Sequence, residues 1–295
     1  MIYANDFDLR LTVESGQPLT FHGDYNATGR RLETLSYVTD KGRLLLDCAK
    51  GGNRDCMISY SYVGDYTRAS AEREIRHRLG LTDDLQEIYT RINTDRFMDA
   101  AINDLYGMRV THNDQWETTL CFLVSQFNNI KRIRLIIKRL IHTYGEELAE
   151  EGEVVRLFPS SDTLSRVSAA DLMRCGTGFR ARYIRSVAEQ CTNNFDLSKL
   201  SGMGYRKAKA QLMELDGIGD KVADCILLFG YAKYEAFPID VWIKRVMERT
   251  YFGGRKMTIK AIHAFAEKRW GCYQGYGQQY IFESGRRNKI GKLVR

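Results

Sequence analysis

Three features predict an α+β chain in which an N-terminal antiparallel sheet precedes an all-α body carrying a helix-hairpin-helix. Residues 1 to about 66 hold short alternating runs between Gly, Asn and Asp breaks. From Thr67 onward, apolar residues recur at three- and four-residue spacing. Between Gln211 and Arg245 one helical pattern stops at Leu215, the turn Asp216-Gly217-Ile218-Gly219 reverses the chain, and a second apolar helix opens near Asp220. Two glycines in that turn supply the positive φ or close backbone approach that a reversal between helices needs.

In chain order, FDLRLTV, SGQPLTF, RRLETLSYV, GRLLLDCA and CMISYSYV read as the strands, with Ser15-Gly16-Gln17 as a turn among them. EREIRHRLGL, DDLQEIYTRI and DRFMDAAINDLYG read as helices, and no strand is expected after them. Asn113 or Asp114 is positioned to cap QWETTLCFLVSQF. A basic amphipathic helix, IKRIRLIIKRLIHTYG, follows, with Lys138 and Arg139 on a solvated face. Leu157-Phe158-Pro159-Ser160 is a loop, with Ser161 or Asp162 capping the next helix, and Gly176-Thr177-Gly178 opens a helix presenting Phe179, Arg180 and Arg182. The division expected is 1–100, the sheet domain with its following helices, and 101–295, a helical region with the helix-hairpin-helix at about 205–230.

The 295 residues carry a net charge of +7, unevenly placed: residues 1–100 hold 13 Lys/Arg against 16 Asp/Glu, leaving 31 against 21 for the rest. A basic second part points to a polyanion. Seven cysteines, scattered and odd in number, with no secretory signal ahead of them, are expected as free thiols in a reducing compartment. They lack the close C-terminal spacing of an iron–sulfur site. No stretch reaches transmembrane length, so no membrane partner is expected.

The hairpin carries the chemistry. Unpaired N–H groups at the start of its second helix can bind phosphate without reading sequence. Lys221 lies in that first turn, where the helix dipole and partial burial both disfavour a charged ammonium and favour a nucleophilic amine. Asp240 follows nineteen residues later, just beyond Pro238. Singly, Lys221 also reads as a phosphate contact or a partner of Asp224, and Asp240 as a helix N-cap.

Together, G-I-G-D-K-V-A-D-C and P-I-D-V resemble the catalytic segment of the helix-hairpin-helix (HhH-GPD) DNA glycosylases, in particular the 8-oxoguanine glycosylase/lyases. The resemblance runs through nearly the whole chain and implies roles for other residues. Ser15-Gly16-Gln17, otherwise a plain turn, is similar to a run whose glycine carbonyl accepts N7–H of the oxidised base, a donor that normal guanine lacks. Gln278 and Phe282, otherwise surface and core, match the residues that meet the flipped base at its Watson–Crick edge and face. Cys225, otherwise a small buried apolar residue, lies one turn after Lys221 and presses the other face. Phe179, otherwise core, matches the aromatic wedge, while Arg132 and Arg180 match the arginines that read the orphaned cytosine. Asn128 and Asn129 fall in a segment where the family has three successive asparagines, the first filling the gap left by the flipped base; here that first position is Phe127, with Asn128 or Gln126 as substitutes. Gly217 and Gly219 belong to the DNA-gripping hairpin, and Trp242 stands where the family has a phosphate-contacting histidine.

The implied reaction is excision of 8-oxoguanine, preferably opposite cytosine, from double-stranded DNA. Asp240 stabilises positive charge on the sugar, and Lys221 forms a Schiff base that allows β-elimination. No cofactor or metal is required; the carbonyls of Met213, Leu215 and Ile218 are a possible seat for a structural cation. A monomer is expected, prokaryotic from its compact ends and so cytoplasmic and nucleoid-associated, or nuclear in a eukaryote. Two other readings are a same-superfamily glycosylase for another damaged base and a non-catalytic helix-hairpin-helix module gripping DNA backbone. The second would not need Lys221 and Asp240 together.

Overall fold

The computed structural model describes residues 1–17, 20–25, 32–50, 55–150 and 152–291. The chain opens with β1 (Ile2–Ala4), α1 (Leu9–Glu14), β2 (Phe21–Tyr25), β3 (Leu32–Val38), β4 (Gly42–Lys50) and β5 (Cys56–Gly64). The strands form one antiparallel sheet in the order β1-β5-β4-β3-β2. Leu35, Tyr37, Leu44, Leu46 and Ile58 alternate onto one buried face, as the two-residue period of a strand requires. That face is covered by Leu9 and Val13 of α1 and by Ala71 and Ile75 of α2 (Arg68–Arg78).

FDLRLTV therefore contains a helix where a strand was expected. The Asp8 carboxylate caps it by accepting the Leu11 N–H at 2.8 Å, and Leu9, Thr12 and Val13 are buried at helical spacing. In so short a window the two periods cannot be told apart. Of SGQPLTF, Ser15 to Gln17 form the turn and Phe21 begins β2, while residues 18–19 lie outside the described residues.

The helical body follows: α3 (Leu85–Ile92), α4 (Arg96–Asp104), α5 (Gln115–Ser125) and α6 (Ile130–Tyr144). Next comes a hairpin, β6 (Glu147–Glu150) and β7 (Glu153–Arg156), then α7 (Ser161–Ser165), α8 (Ala169–Arg174), α9 (Ala181–Asn193) and α10 (Tyr205–Leu212). The chain closes with α11 (Asp220–Tyr231), α12 (Val241–Tyr251), α13 (Ile259–Trp270) and α14 (Gln274–Arg287). The β6–β7 hairpin corrects the expectation that strands do not return. Its four-residue, acid-rich strands show little apolar alternation, and Arg43 to Glu153 and the Gly64 N–H to Glu150 tie it to the main sheet. Asp114 caps α5, accepting the Glu117 N–H at 2.9 Å. α7 is capped by Ser160, which accepts the Thr163 N–H at 3.0 Å, one residue ahead of the positions read from sequence.

Apolar residues from Leu85 to Ile281 make a second core, so α3 and α4 pack with the helical body although the division at residue 100 grouped them with the sheet. Buried Glu117 of α5 joins the two units: it accepts Arg78 Nη1 at 2.9 Å, the Tyr37 hydroxyl at 2.6 Å and the Thr20 hydroxyl. A carboxylate taken out of water needs this set of donors. Cys121, Cys175, Cys191, Cys225 and Cys272 are free, but Cys56 is disulfide-bonded, which corrects the expectation of free thiols throughout. The β4–β5 register sets Lys50 opposite Cys56 and Cys48 opposite Ile58, bringing two cysteine-bearing strands side by side. Among the described residues no helix is long and apolar enough to cross a membrane.

Candidate active site

The hairpin joins α10 to α11. Gly217 has φ +78°, and a Cβ there would stand 2.5 Å from the Tyr183 ring, so both backbone conformation and space demand glycine. The Ile218 N–H closes the turn on the Leu215 carbonyl at 3.1 Å, and Ser186 Oγ donates to Asp216 at 2.6 Å, fixing the turn to α9. Gly219, exposed, is the N-cap of α11 and offers no side-chain acceptor, so the first N–H groups of α11 are left to an outside partner.

Lys221 lies in the first turn of α11, and its Nζ is 5.5 Å from the centroid of the Phe122 ring, within range of a cation–π attraction. Phe122 stacks on Phe229 at 5.5 Å, making an aromatic floor from α5 and α11. Asp240 is the N-cap of α12, its Oδ1 accepting the Ile243 N–H at 2.7 Å, which leaves the other oxygen for a second task. Lys221 and Asp240 face one cavity of about 650 Å³, which is also lined by Gly16, Cys225, Gln278, Phe282, Asn128 and Asn129. Sequence reasoning missed Phe122 and Phe229, which at helical spacing look like any other core residues, and the Pro238 carbonyl in the wall.

Each wall is held from behind. Gly16 has φ +86°, and a Cβ on it would come 2.7 Å from Ile130 Cδ1. Gln17 clamps this turn by donating to Ser15 Oγ at 2.8 Å and to the Arg109 carbonyl at 2.9 Å, and by accepting the Thr111 N–H at 3.1 Å. Gln278, only 4% exposed, donates to the Pro238 carbonyl at 3.1 Å and accepts from Gln279, which leaves one amide N–H uncommitted. Arg286 of α14 reaches the Glu14 carbonyl at 2.7 Å, so the walls drawn from the two ends of the chain are tied together. Burial pushes the Cys225 thiol up to about 11, against the pull of Lys221; it remains a neutral, soft surface rather than a nucleophile.

The remaining residues lie on the loop between α5 and α6, in the first turn of α6 and in the 3₁₀ turn before α9. Asn129 caps α6, accepting the Arg132 N–H at 3.0 Å, and the Asn128 amide folds back to the Val124 carbonyl at 3.2 Å. Arg132 is exposed. Arg180, by contrast, is 5% exposed and donates to the carbonyls of Gln126 (2.7 Å), Thr177 (3.1 Å) and Phe127 (3.1 Å), so in this conformation its guanidinium is committed to protein backbone. Burial and then the charge of Arg132 hold it below its ordinary value. Phe179, in a 3₁₀ turn at Gly178–Arg180, is 48% exposed. Trp242 packs inward, so close that a Cβ on Gly291 would meet its ring at 2.8 Å, and it offers nothing like an exposed imidazole.

Among the described residues, Asp220, Asp224 and His263 form the one cluster with metal-ligand spacing. Lys209 Nζ already lies 2.9 Å from Asp220 and 2.8 Å from Asp224, supplying the positive charge an ion would bring, and the group is an ion-pair cluster bracing α10 against α11.

Lys221 and Asp240 thus line one cavity beside the hairpin, in a chain that is similar to known proteins along most of its length. The model of the HhH-GPD superfamily base excision DNA repair proteins matches residues 120–272. A probable N-glycosylase/DNA lyase of Methanothermobacter thermautotrophicus is 30% identical, over 98% of this chain and 96% of its own length. The N-glycosylase/DNA lyase OGG1 of Arabidopsis thaliana is 30% identical over 94% of this chain and 79% of its own. Among solved structures, the Clostridium acetobutylicum 8-oxoguanine glycosylase/lyase, in complex with double-stranded DNA containing cytosine opposite 8-oxoguanine, superposes with a TM-score of 0.84 at 26% identity, covering 97% of this chain and 93% of that one. The chain belongs to the HhH-GPD superfamily of base excision DNA repair proteins.

Proposed function

We propose that this protein excises 8-oxoguanine from double-stranded DNA and then nicks the strand by β-elimination. The observation that carries the reading is the single cavity that brings Lys221 and Asp240 to Gly16, Gln278 and Phe282. A base must leave the stack to be attacked, and a cavity of this size admits a purine. The Gly16 carbonyl accepts N7–H, the free amide N–H of Gln278 meets the Watson–Crick edge, and Phe282 and Cys225 sandwich the ring. Arg132, exposed in the first turn of α6, reads an opposite cytosine, and the N–H groups of Gly217, Gly219 and the first turn of α11 take a backbone phosphate.

As the C1′–N9 bond breaks and the base departs with a proton, the Asp240 carboxylate stabilises the positive charge growing on the sugar. Lys221 Nζ, as the free amine, bonds to C1′ and the sugar ring opens to an imine. Loss of a C2′ proton then expels the 3′ phosphate. These steps require no cofactor. A cation on the carbonyls of Met213, Leu215 and Ile218 belongs to the same proposal as a support for the hairpin, as does action by a monomer on chromosomal DNA in the nucleoid, or in the nucleus of a eukaryote.

Borohydride added during reaction with a duplex containing 8-oxoguanine opposite cytosine tests the reading. Wild type is expected to be trapped covalently on the strand and Lys221→Gln to give no trapped complex. Release of the base without trapping would remove the imine, and trapping of Lys221→Gln would remove Lys221 from its role.

A further inference from the structure

Helix α11 presents side chains to two cavities. Lys221 and Cys225 line the base cavity, whereas Asp220 borders a second, polar cavity of about 370 Å³ that shares no lining residue with the first. Asp224, one turn on from Asp220 and so on the same helix face, is fully buried. Its Oδ1 accepts the Tyr205 hydroxyl at 2.6 Å and Lys209 Nζ at 2.8 Å, and Lys209 also meets Oδ1 of Asp220. The brace of α10 against α11 therefore uses one oxygen of each carboxylate. Oδ2 of Asp224 has no hydrogen-bond partner, although nothing of the residue reaches solvent. His263 of α13, set edge-on to the buried Phe237 ring, turns its Nε2 to the same place: 3.7 Å from Asp220 Oδ2, 4.0 Å from Asp224 Oδ2, and likewise without a hydrogen bond. A third orphaned atom, Oε1 of Gln274, belongs to a residue only 6% exposed in the wall of this cavity. Arg206 is paired with Glu267 at 3.1 Å, so Lys209 faces Asp220, Asp224 and Glu235, a local excess of negative charge in a chain of net charge +7.

We propose that Asp220, Asp224 and His263 bind a divalent transition-metal ion of the zinc type, with Lys209 hydrogen-bonded to the carboxylate oxygens that the ion does not use. One donor atom from each of the three residues lies within 4.8 Å of the others. A tetrahedral ion with bonds of about 2.1 Å needs edges of about 3.4 Å, so small side-chain rotations close the set around it. An imidazole nitrogen beside two carboxylates suits zinc, whereas magnesium and calcium favour oxygen throughout. Lys209 balances one of the two carboxylate charges and the ion answers the other, its open position facing the cavity and water. The ion is held by side chains of α11 and α13, not by the turn carbonyls of Met213, Leu215 and Ile218, and no step of base excision passes through it. Its effect is on the frame: it fastens α13 to the first turn of α11, from which Lys221 projects.

The test uses the full chain without DNA, so its outcome is independent of whether 8-oxoguanine is excised. Protein stripped with a chelator is titrated with Zn²⁺ in a calorimeter, and its melting temperature is measured with and without the ion. Wild type is expected to take up a single ion at this site and to melt higher with it. His263 is 26% and Asp220 55% exposed at the side chain, so His263→Ala and Asp220→Asn leave the core intact. Each is expected to bind Zn²⁺ at least on the order of a hundredfold more weakly and to lose the rise in melting temperature. Mg²⁺ at the same concentration is expected to give no rise. Co²⁺ in place of Zn²⁺ reports the donor atoms, and its spectrum is expected to lack the strong sulfur-to-metal absorption of a thiolate site. Three results would overturn the proposal: no uptake of Zn²⁺ by wild type, undiminished affinity in either variant, or a thiolate absorption that places the ion on the free cysteines.

Discussion

Gln278 lines the cavity, Phe127 precedes Asn128 of the same lining, and the states of the two side chains are opposite. Gln278 is buried and bonded at both ends of its amide, in a helix pinned to the far end of the chain by Arg286. Phe127 is almost fully exposed, and only its backbone is held. The cavity wall is fixed by hydrogen bonds in the protein alone, whereas the loop beside it fixes its backbone and leaves an aromatic ring in solvent. Each suits its task. Telling an oxidised from a normal guanine depends on an atom or two, which only rigid acceptors and donors can discriminate. Holding an opened duplex depends on buried ring area, which a projecting side chain supplies on contact.

The largest expected effect is on the cavity side. Asp240→Asn retains an acceptor for the Ile243 N–H, so α12 keeps its cap, but the charge is lost. Single-turnover base release is expected to fall on the order of 10²- to 10³-fold, with binding to the abasic duplex unchanged. A loss confined to binding would move Asp240 from the chemistry to the face. Gly16→Ala is next. The positive φ and the 2.7 Å approach to Ile130 displace the carbonyl, and preference for 8-oxoguanine over guanine is expected to drop roughly tenfold in competition assays. If discrimination survives, the pocket is less rigid than its hydrogen bonds imply.

The smallest effect concerns the support of α12. Burial works against ionisation of Glu248, but Lys244, the Met257 N–H at 2.9 Å and Lys256 at 3.3 Å hold its carboxyl down to about 2. A carboxyl depressed in the fold contributes stability above its unfolded value of about 4.5 and loses it as pH falls toward 2. Melting temperature measured across that window should fall less steeply in Glu248→Gln than in wild type. Parallel curves would show that Glu248 is not the titrating support.

What could be read from sequence follows the same division. Lys221, Asp240 and the glycines of the hairpin sit in one contiguous run, so their spacing already carried the chemistry. Gly16 and Gln278 are distant in the chain and mean nothing alone; they became legible only through resemblance. At Phe127 the sequence shows only a departure from a run of asparagines, because its φ of +48° and the inward folding of the neighbouring amides are not displayed by spacing. The helix Leu9–Glu14 is not legible because six residues satisfy either period, nor is β6–β7, whose strands are short and acidic.

The link from Arg286 to the Glu14 carbonyl also bears on how the protein is made. Gly16 is synthesised well before Gln278, so the pocket closes on a contact between residues 272 apart in sequence. N-terminal units generally fold as they emerge, and contacts of such long sequence separation form late. Tyr276 and Tyr280 of α14 are fully buried in the same core as α11 and α12, so the helix that completes base recognition also completes the packing behind Lys221 and Asp240.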